Sequence, residues 1–421
     1  MGMTMSEKIL ARAAGKSETK AGEIVWAGVD RALLDDILGP RVEIAEKLLE
    51  FGGRVRDPDR VVVISDHYTP PANATQAEIV KFTREWAKDQ GIDNYHEFVG
   101  PCHQIMAESG YIRPGTVVLG TDSHTCMGGA LGAFASGVGS TEMLGILLTG
   151  QTWLRVPETI RITWCGSLAT GVMAKDISLK TIGQVGHAGA TYKAIEYTGD
   201  TIDSLPLDER LAITNMAVEM GAKVGLMAPD QKVMDYLAEL GVPEADCFRF
   251  FSDPDAAYSL CLTFSTDNLE PQVACPHEVD KVAGIHEVPG QKIDQAYIGS
   301  CTGGRLTDLR AAATVLKGRK VKKGVRLLVS PASQDIWCRA AAEGILSTLA
   351  EAGAVILAPT CGVCVGLHSG AIGAGEVCIS STNRNFLGRM GSSRADIYLA
   401  SPMTVAASAV AGQISDPRDF L

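Results

Sequence analysis

The sequence predicts an α/β fold with a largely parallel sheet. Apolar runs bounded by turn residues alternate with segments of helical periodicity, the order expected when helices join parallel strands. The 421 residues are 46% hydrophobic and 21% charged, as in globular proteins, and are enough for two to four domains. The net charge of −11 argues against nucleic acid as the main partner, because phosphate binding needs a basic surface.

The individual elements follow from these two periodicities. Strands are predicted at 61–65, 117–120, 159–164, 296–300, 326–330, 354–358, 377–380 and 397–400. Helices are predicted at 42–51, 76–90, 207–222, 232–240, 306–316 and 334–352. In the second of these helices, Ile79, Phe82 and Trp86 fall on one face, which we expect to be buried.

Two changes in composition divide the chain. Residues 250–289 are rich in proline, aspartate and polar residues and predict an interdomain connection, and a second boundary is predicted at 153–156. The expected domains are residues 1–155, 156–285 and 286–421. The odd number of cysteines, eleven, and the lack of a hydrophobic leader predict a cytoplasmic protein with free thiols.

Chemically reactive side chains follow directly after several predicted strands. They are Asp66 and His67, Asp122 to His124, Cys301, Cys361 and Arg384. Ligands bind outside the carboxyl ends of strands in open α/β sheets, so this arrangement predicts a site. Turn formation would explain the aspartates and serines, but not the cysteines, histidines and arginine.

The cysteines could hold a metal centre. Cys361 and Cys364 form a C-x-x-C pair, and Cys301 adds a third thiol from another strand end. A thioredoxin-like redox pair fits the surrounding pattern poorly. Zinc would need a fourth ligand, for which His368 is available, whereas an iron–sulfur cluster on three thiolates would leave one iron open. Spacing alone does not decide between these alternatives. The glycines at 128–139 match no nucleotide-binding loop, and we expect them to serve close packing.

Four segments together resemble the aconitase superfamily. GTDSHT at 120–125, IGSCT at 298–302, CGVC at 361–364 and NRNFLGR at 383–389 occur in that family's order, and the chain is similar to large subunits of the 3-isopropylmalate dehydratase type. The resemblance implies three aconitase-type α/β/α domains around a central iron–sulfur site, without the swivelling fourth domain. It also implies a [4Fe–4S] cluster on Cys301, Cys361 and Cys364, with one open iron that acts as a Lewis acid.

The resemblance further assigns site residues. The active site would contain Asp66, His67, His103, Asp122, Ser123, His124 and Glu196, and the substrate carboxylates would be bound by Asn383, Arg384 and Arg389. Carboxylate–imidazole pairs are implied between Asp66 and His67, Asp122 and His103, and Glu196 and His124. Such pairs fix a histidine tautomer and leave its other nitrogen for proton transfer. His67 would protonate the departing hydroxyl, and Asp122 with His124 would hold water at the open iron.

The activity implied is that of a hydro-lyase which dehydrates and rehydrates a 2-hydroxy di- or tricarboxylate. We expect 3-isopropylmalate, in leucine biosynthesis, as the substrate, with homoaconitate and 2,3-dimethylmalate as alternatives. Because the chain ends soon after the third domain, the catalytic base is expected from a small subunit that carries the swivelling domain and its Ser-Arg loop. A cluster-sensing regulator that binds RNA is a hypothesis of another class, and the acidic charge disfavours it.

Two positions depart from the family pattern. Gly303 stands where asparagine is usual, and Val363 stands where proline is usual. We expect these departures to affect substrate orientation or cluster stability.

Overall fold

The computed structural model describes residues 2–288 and 290–421. The predicted connection at 250–289 therefore ends on a residue, Pro289, that lies outside the described residues. Within the described ranges, no helix is both long enough and apolar enough to cross a membrane.

The strands are short. They are β1 (Ile24–Gly28), β2 (Arg31–Asp35), β3 (Val61–Ser65), β4 (Tyr95–Glu97), β5 (Val117–Gly120), β6 (Phe134–Gly137), β7 (Gln151–Arg155), β8 (Thr159–Cys165), β9 (Ala194–Thr198), β10 (Val224–Leu226), β11 (Leu260–Ser265), β12 (Gln272–Ala274), β13 (Val282–Gly284), β14 (Gln295–Ile298), β15 (Arg326–Val329), β16 (Ala354–Ile356), β17 (Val377–Ser380) and β18 (Asp396–Leu399).

The α-helices cover the faces and ends of the sheets. They are α1 (Met5–Ala13), α2 (Ala45–Glu50), α3 (Ala74–Asp89), α4 (Cys102–Glu108), α5 (Ser140–Thr149), α6 (Ala174–Val185), α7 (Asp200–Ser204), α8 (Leu207–Asn215), α9 (Gln231–Glu239), α10 (Leu306–Leu316), α11 (Gln334–Ala342), α12 (Ile345–Ala352) and α13 (Pro402–Ala411). Longer 3₁₀ segments run over Ser123–Leu131 and Met216–Met220.

Three mainly parallel sheets carry the fold, so the predicted α/β class is confirmed. The first has the strand order β4-β3-β2-β5-β6 and the second β10-β9-β8-β11, and all pairs in both are parallel. The third has the order β13-β12-β18-β17-β14-β15-β16, antiparallel only where β12 pairs with β13 and β18. A separate antiparallel ribbon joins β1 to β7.

The sheets follow the predicted three-part division, with one difference. Strands β12 and β13 precede residue 286, yet both belong to the third sheet and not to the second. The division at residue 155 lies between β7 and β8, where the first and second sheets separate. The three domains thus remain a prediction, and the third sheet reaches back to Gln272.

Two helix predictions were wrong in detail. The buried face of α3 consists of Gln76, Val80, Thr83, Trp86 and Ala87, whereas Phe82 is 42% exposed. The predicted helix at 334–352 is two helices, because Gly344 between them is left-handed at φ 73°. Left-handed backbone interrupts a right-handed helix and suits glycine, which has no Cβ.

The predicted close packing of the 128–139 glycines is confirmed at one contact between sheets. A Cβ on Gly129 would lie 1.6 Å from the Gly225 carbonyl oxygen, and the Met227 amide donates to the Gly129 carbonyl at 2.9 Å. The 3₁₀ segment after β5 therefore packs backbone to backbone on β10. This contact sets the first sheet against the second beside Ser123 and His124.

Candidate active site

Three neighbouring strands of the first sheet end in acidic or imidazole side chains. Asp35 and Asp36 lie at the end of β2, Asp66 and His67 follow β3, and Asp122 follows β5. Because the strands are parallel and adjacent, their carboxyl ends meet at one edge of the sheet. We call these five residues the proton edge. All but Asp122 are essentially buried.

His67 lies between two carboxylates. Its Nδ1 is 2.8 Å from Asp66 Oδ1 and 3.1 Å from Asp36 Oδ1, and the contact with Asp36 has hydrogen-bond geometry. Burial alone would lower the pKa of His67, but the charges of Asp66 and Asp36 overcome it and raise that pKa well above the ordinary value. His67 is therefore held as an imidazolium. Its Nε2 lies 3.8 Å from Asp122 Oδ2, too far for a hydrogen bond, and remains free to donate.

Asp122 is held as a carboxylate. His103 Nε2 donates to Asp122 Oδ1 at 3.0 Å, and the His124 backbone amide donates to the same oxygen at 2.7 Å. Burial would raise the pKa of Asp122, yet His103 and His124 hold it well below its usual range. The predicted contacts of Asp66 with His67 and of Asp122 with His103 are thus present.

The predicted pairing of Glu196 with His124 is wrong. His124 Nε2 instead lies 2.8 Å from Glu219 Oε1, and Glu219 also accepts from Arg384 Nε at 2.9 Å. Burial would raise the pKa of Glu219, but His124 and Arg384 lower it, so the group is an anion. Arg384 Nη2 completes the cluster by donating to Ser123 Oγ at 3.1 Å.

Glu196 serves a different part of the molecule. Its Oε1 accepts from the Met5 amide at 2.9 Å, and its other oxygen accepts from Ser252 and Tyr258. Met5 is the first residue of α1, and a carboxylate is favourable beside the partial positive charge of a helix N-terminus. Glu196 thus fastens the N-terminal helix to β9.

The cysteines lie at the carboxyl edge of the third sheet. Cys301 follows β14 after Ser300, whose φ of 69° turns the chain sharply, and Cys361 and Cys364 follow β16. The two edges touch, because the Cys361 amide donates to the Asp66 carbonyl at 3.1 Å and Thr360 Oγ1 donates to it at 2.9 Å. We call the three cysteines the sulfur edge.

Protein donors surround the sulfur atoms. Asn215 Nδ2 lies 3.1 Å and Asn383 Nδ2 3.7 Å from Cys301 Sγ, while Arg389 Nη2 lies 3.9 Å from Cys364 Sγ. The thiol of Cys361 donates to Cys364, which holds the pKa of Cys364 well below its ordinary value. Such donors favour thiolates and tune the potential of any cluster that thiolates bind.

The donor set fits an iron–sulfur cluster better than a single ion. Among the described residues, the groups whose ligand atoms all lie within 4.8 Å of one another are His103–Asp122–His124 and Asp35–Asp36–His67, and neither includes the cysteines. His368 is unsuited to be a fourth zinc ligand, because its Nε2 donates to the His67 carbonyl at 2.8 Å and its Nδ1 contacts Ser369 Oγ at 2.7 Å. Three sulfurs that do not converge on one point suit a larger inorganic core.

The three predicted carboxylate binders are placed differently from one another. Asn383 is buried, and its amide nitrogen contacts Asn215 and Cys301, so its role as a substrate binder stays a prediction. Arg384 is held by Glu219 and Ser123. Arg389 has a buried Nε that lacks a hydrogen-bond partner within residues 2–288 and 290–421, as expected of a donor that awaits an anion.

Neighbouring side chains pack closely at the two positions that depart from the family pattern. A Cβ on Gly303 would lie 2.2 Å from Ser381 Oγ, which accepts a hydrogen bond from the Gly299 amide at 3.0 Å. Ser381 thus occupies the space that a side chain at position 303 would need. Val363 is fully buried in the core between the second and third sheets.

An open cavity leads away from the site. It measures about 460 Å³, reaches Ser123, and is bounded by Val138, Trp153, Tyr192 and Lys223. On the neighbouring β1–β7 ribbon, Trp26 pairs with Trp153, and both indoles are more than half exposed. An apolar face of this kind beside a site is typical of an interaction surface.

The sequence interpretation missed Asp36, Asn215 and Glu219. Treating residues 31–35 as a strand would have identified Asp36, because this carboxylate directly follows that strand. Asn215 and Glu219 are four residues apart, a spacing that places both on one face of a helical segment, but this spacing is common.

Comparisons with known proteins agree with the motif order. The chain matches the model of the Aconitase family (aconitate hydratase) over residues 7–412. It is 48% identical to 3-isopropylmalate dehydratase large subunit 1 of Methanopyrus kandleri, with 100% of both chains covered. It is 47% identical to a probable methanogen homoaconitase large subunit of Methanothermobacter thermautotrophicus, with 99% of this chain and 98% of that one covered.

A solved structure supports the fold. Aconitase X of Thermococcus kodakaraensis in its holo-form has a TM-score of 0.52 and 13% identity, with 89% of each chain covered. The resemblance predicted from the four segments is confirmed by the match over nearly the whole length, and the chain belongs to the aconitase family.

Proposed function

We propose that this chain is the large subunit of a [4Fe–4S] hydro-lyase that interconverts 2-isopropylmalate and 3-isopropylmalate. The assignment of the substrate draws on the full-length relatives that carry this name. The observation that carries the chemistry is the contact between the proton edge and the sulfur edge. A doubly paired imidazolium there lies next to three thiols that can hold a cluster.

The sulfur edge would hold the cluster through Cys301, Cys361 and Cys364. The chemistry that such a cluster supplies when bound is Lewis-acid polarisation of the substrate hydroxyl. Asn215 and Asn383 would hold the Cys301 sulfur in place through their amide groups. Asn383 thus acts on the cluster ligand instead of on the substrate.

The proton edge would supply the proton for the departing hydroxyl. His67 carries that proton on Nε2, and Asp36 and Asp66 keep it there by stabilising the imidazolium. Asp122 and His124 would orient the water molecule that leaves or adds. His103 would hold Asp122 in place, and Glu219 would hold His124 in place.

Substrate carboxylates would be bound by arginines. The unpartnered Nε of Arg389 is suited to this task, and Arg384 presents its guanidinium beside Ser123. The proton on carbon must be removed by a base. We assign that base to a small subunit that covers the cavity beside Ser123 and the indoles of Trp26 and Trp153.

Co-expression with the small subunit tests this function. The complex, prepared without oxygen and loaded with iron and sulfide, should dehydrate both isopropylmalates and add water back to the unsaturated acid, measured by the ultraviolet absorbance of that unsaturated acid. Homocitrate and 2,3-dimethylmalate serve as comparison substrates. Turnover of none of these acids by an iron-loaded complex would refute the proposal.

A further inference from the structure

Two fully buried cations adjoin the segments that carry the sulfur edge. Lys175, at the start of α6, is 2% exposed, and Arg305, which directly precedes α10, is 0% exposed. Burying a charge is costly unless an opposite charge compensates it. Among the described residues, neither has a carboxylate oxygen within 4.0 Å, whereas the similarly buried Arg210 lies 2.6 Å from Asp230.

The local backbone makes both positions less favourable still. The N-terminus of a helix carries partial positive charge, which disfavours a cation. Lys175 and Arg305 nevertheless stand at the N-termini of helices of 12 and 11 residues. Negative charge beyond these helix starts would stabilise both cations.

The carboxyl groups near these helix starts supply little of that charge. Asp308 accepts from the Arg305 amide and Glu209 from the Ala174 amide, so their oxygens face backbone donors. Burial raises the pKa of both, and it raises the pKa of Asp176 to about 7. Their hydrogen bonds therefore come from backbone amides and not from Lys175 or Arg305.

The sulfur edge is the remaining partner. Lys175 Nζ donates to the carbonyls of Ser381 at 3.3 Å and Thr382 at 2.7 Å, and Thr302, beside Cys301, donates to the same Ser381 carbonyl at 3.0 Å. Burial lowers the pKa of Lys175 to about 8, and Cys364 and Cys301 are the groups that most strongly oppose this.

Arg305 is linked to the sulfur edge through the chain. It lies four residues after Cys301 in sequence and contacts Gln104 Oε1 at 3.1 Å and Met127 Sδ at 2.9 Å. Its Nη1 is buried and forms no hydrogen bond with any residue that the structure describes. A buried guanidinium with an unused donor, and with no carboxylate oxygen within 4.0 Å among the described residues, is expected to act on charges that lie farther away.

We propose that Lys175 and Arg305 are positioning residues that balance the negative charge of the thiolate-bound cluster. This inference rests on the proposed cluster at Cys301, Cys361 and Cys364. A cluster held by thiolates becomes more negative when it is reduced, and nearby positive charge stabilises that reduced state. The two cations thus raise the reduction potential and retain the iron.

The test compares variants of the whole chain loaded with iron and sulfide under anaerobic conditions. Lys175→Met and Arg305→Met remove the charge, Arg305→Lys keeps it, and Arg210→Met removes a buried cation that already has a carboxylate partner. The readouts are iron per chain, the rate of iron loss to a chelator, the midpoint potential and the thermal midpoint with and without the cluster.

We expect K175M and R305M to lower the midpoint potential and to release iron about 10-fold faster. This factor is at the lower end of the effects seen when residues that support metal ligands are altered. R305K should stay near the original protein. R210M should lower the thermal midpoint equally with and without the cluster and leave the potential unchanged.

An unchanged potential and unchanged iron loss in R305M would overturn the inference, as would an R305K variant that behaves like R305M. If K175M does not fold, the comparison of R305M with R305K decides the question. Failure of the original protein to bind iron would instead refute the cluster itself, and with it the proposed function.

Discussion

The proton edge and the sulfur edge face each other, and they balance charge in opposite ways. At the proton edge, His67 is matched by Asp36 and Asp66, and Asp122 is matched by His103. At the sulfur edge, the thiols are approached by amide nitrogens and by Arg389, with Lys175 and Arg305 buried beside the segments that carry these thiols. At the proton edge, the protein itself supplies groups of both charges. At the sulfur edge, the cations gain negative partners only when the thiols are deprotonated.

This difference separates two tasks. Proton transfer needs groups whose charge states are set by the protein, and paired carboxylates and imidazoles provide that. Metal binding needs ligands that lose protons when the metal arrives, and surplus positive charge favours that loss. Variants of either edge should therefore fail in recognisably different ways.

Removing a thiol should have the largest effect. We expect Cys301→Ser to reduce both bound iron and turnover by more than about 100-fold. Removing a ligand should have a larger effect than altering a residue that only contacts a ligand. Iron content and visible absorbance measure this loss. Cys378→Ala is the matched control, since Cys378 is equally buried but lies within β17, and it should retain iron. Full iron content in the serine variant would contradict the assignment.

Removing the imidazolium should abolish turnover without releasing iron. His67→Asn should lower kcat by about 10²- to 10⁴-fold, the usual contribution of a positioned acid. Steady-state kinetics and iron content on the same sample separate the two edges. His187→Asn, which alters an exposed histidine paired with Asp280, should change neither quantity. Loss of iron in the His67 variant would mean that the edges are not separate.

The two glutamates sharpen the comparison. Glu219→Gln should lower kcat by about 10- to 100-fold, as expected of a group that fixes a catalytic histidine. Glu196→Gln should leave kcat near its original value and lower the free energy of unfolding by about 1–3 kcal/mol, because buried donors at α1 lose an acceptor. Kinetics and chemical denaturation of both variants decide between the two positions. The reverse outcome would restore the original pairing of Glu196 with His124.

The smallest effect concerns pH. Activity that requires protonated His67 persists above the ordinary histidine pKa and is lost as pH rises through the raised pKa of His67. Asp36→Asn removes one of the groups that raise the pKa of His67. Burial, which lowers that pKa, is then opposed less strongly, so the pKa falls. The alkaline limb of kcat/KM against pH should then move to lower pH. An alkaline limb that stays in place would assign the titration to another group.

Much of the site could be predicted from strand ends. Asp66, His67, Asp122, Cys301 and Cys361 follow parallel strands, and the carboxyl ends of such strands meet wherever the sheet forms. The acceptor for His124 could not be predicted in this way. Glu196 and Glu219 belong to the same part of the chain, and only the packing of the 3₁₀ segment at Met216–Met220 directs Glu219 to the site.

The sequence by itself determined the α/β class, the sites of eight of the eighteen strands among the described residues, and the three candidate cysteines of the sulfur edge, because periodicity and strand-end chemistry are local properties. The tertiary structure decided which carboxylate meets which histidine, that Asn383 contacts Cys301, and that two cations are buried without a carboxylate partner among the described residues. Those outcomes depend on how three sheets pack against one another. Contacts between segments far apart in the chain leave no periodic signal in any one of them.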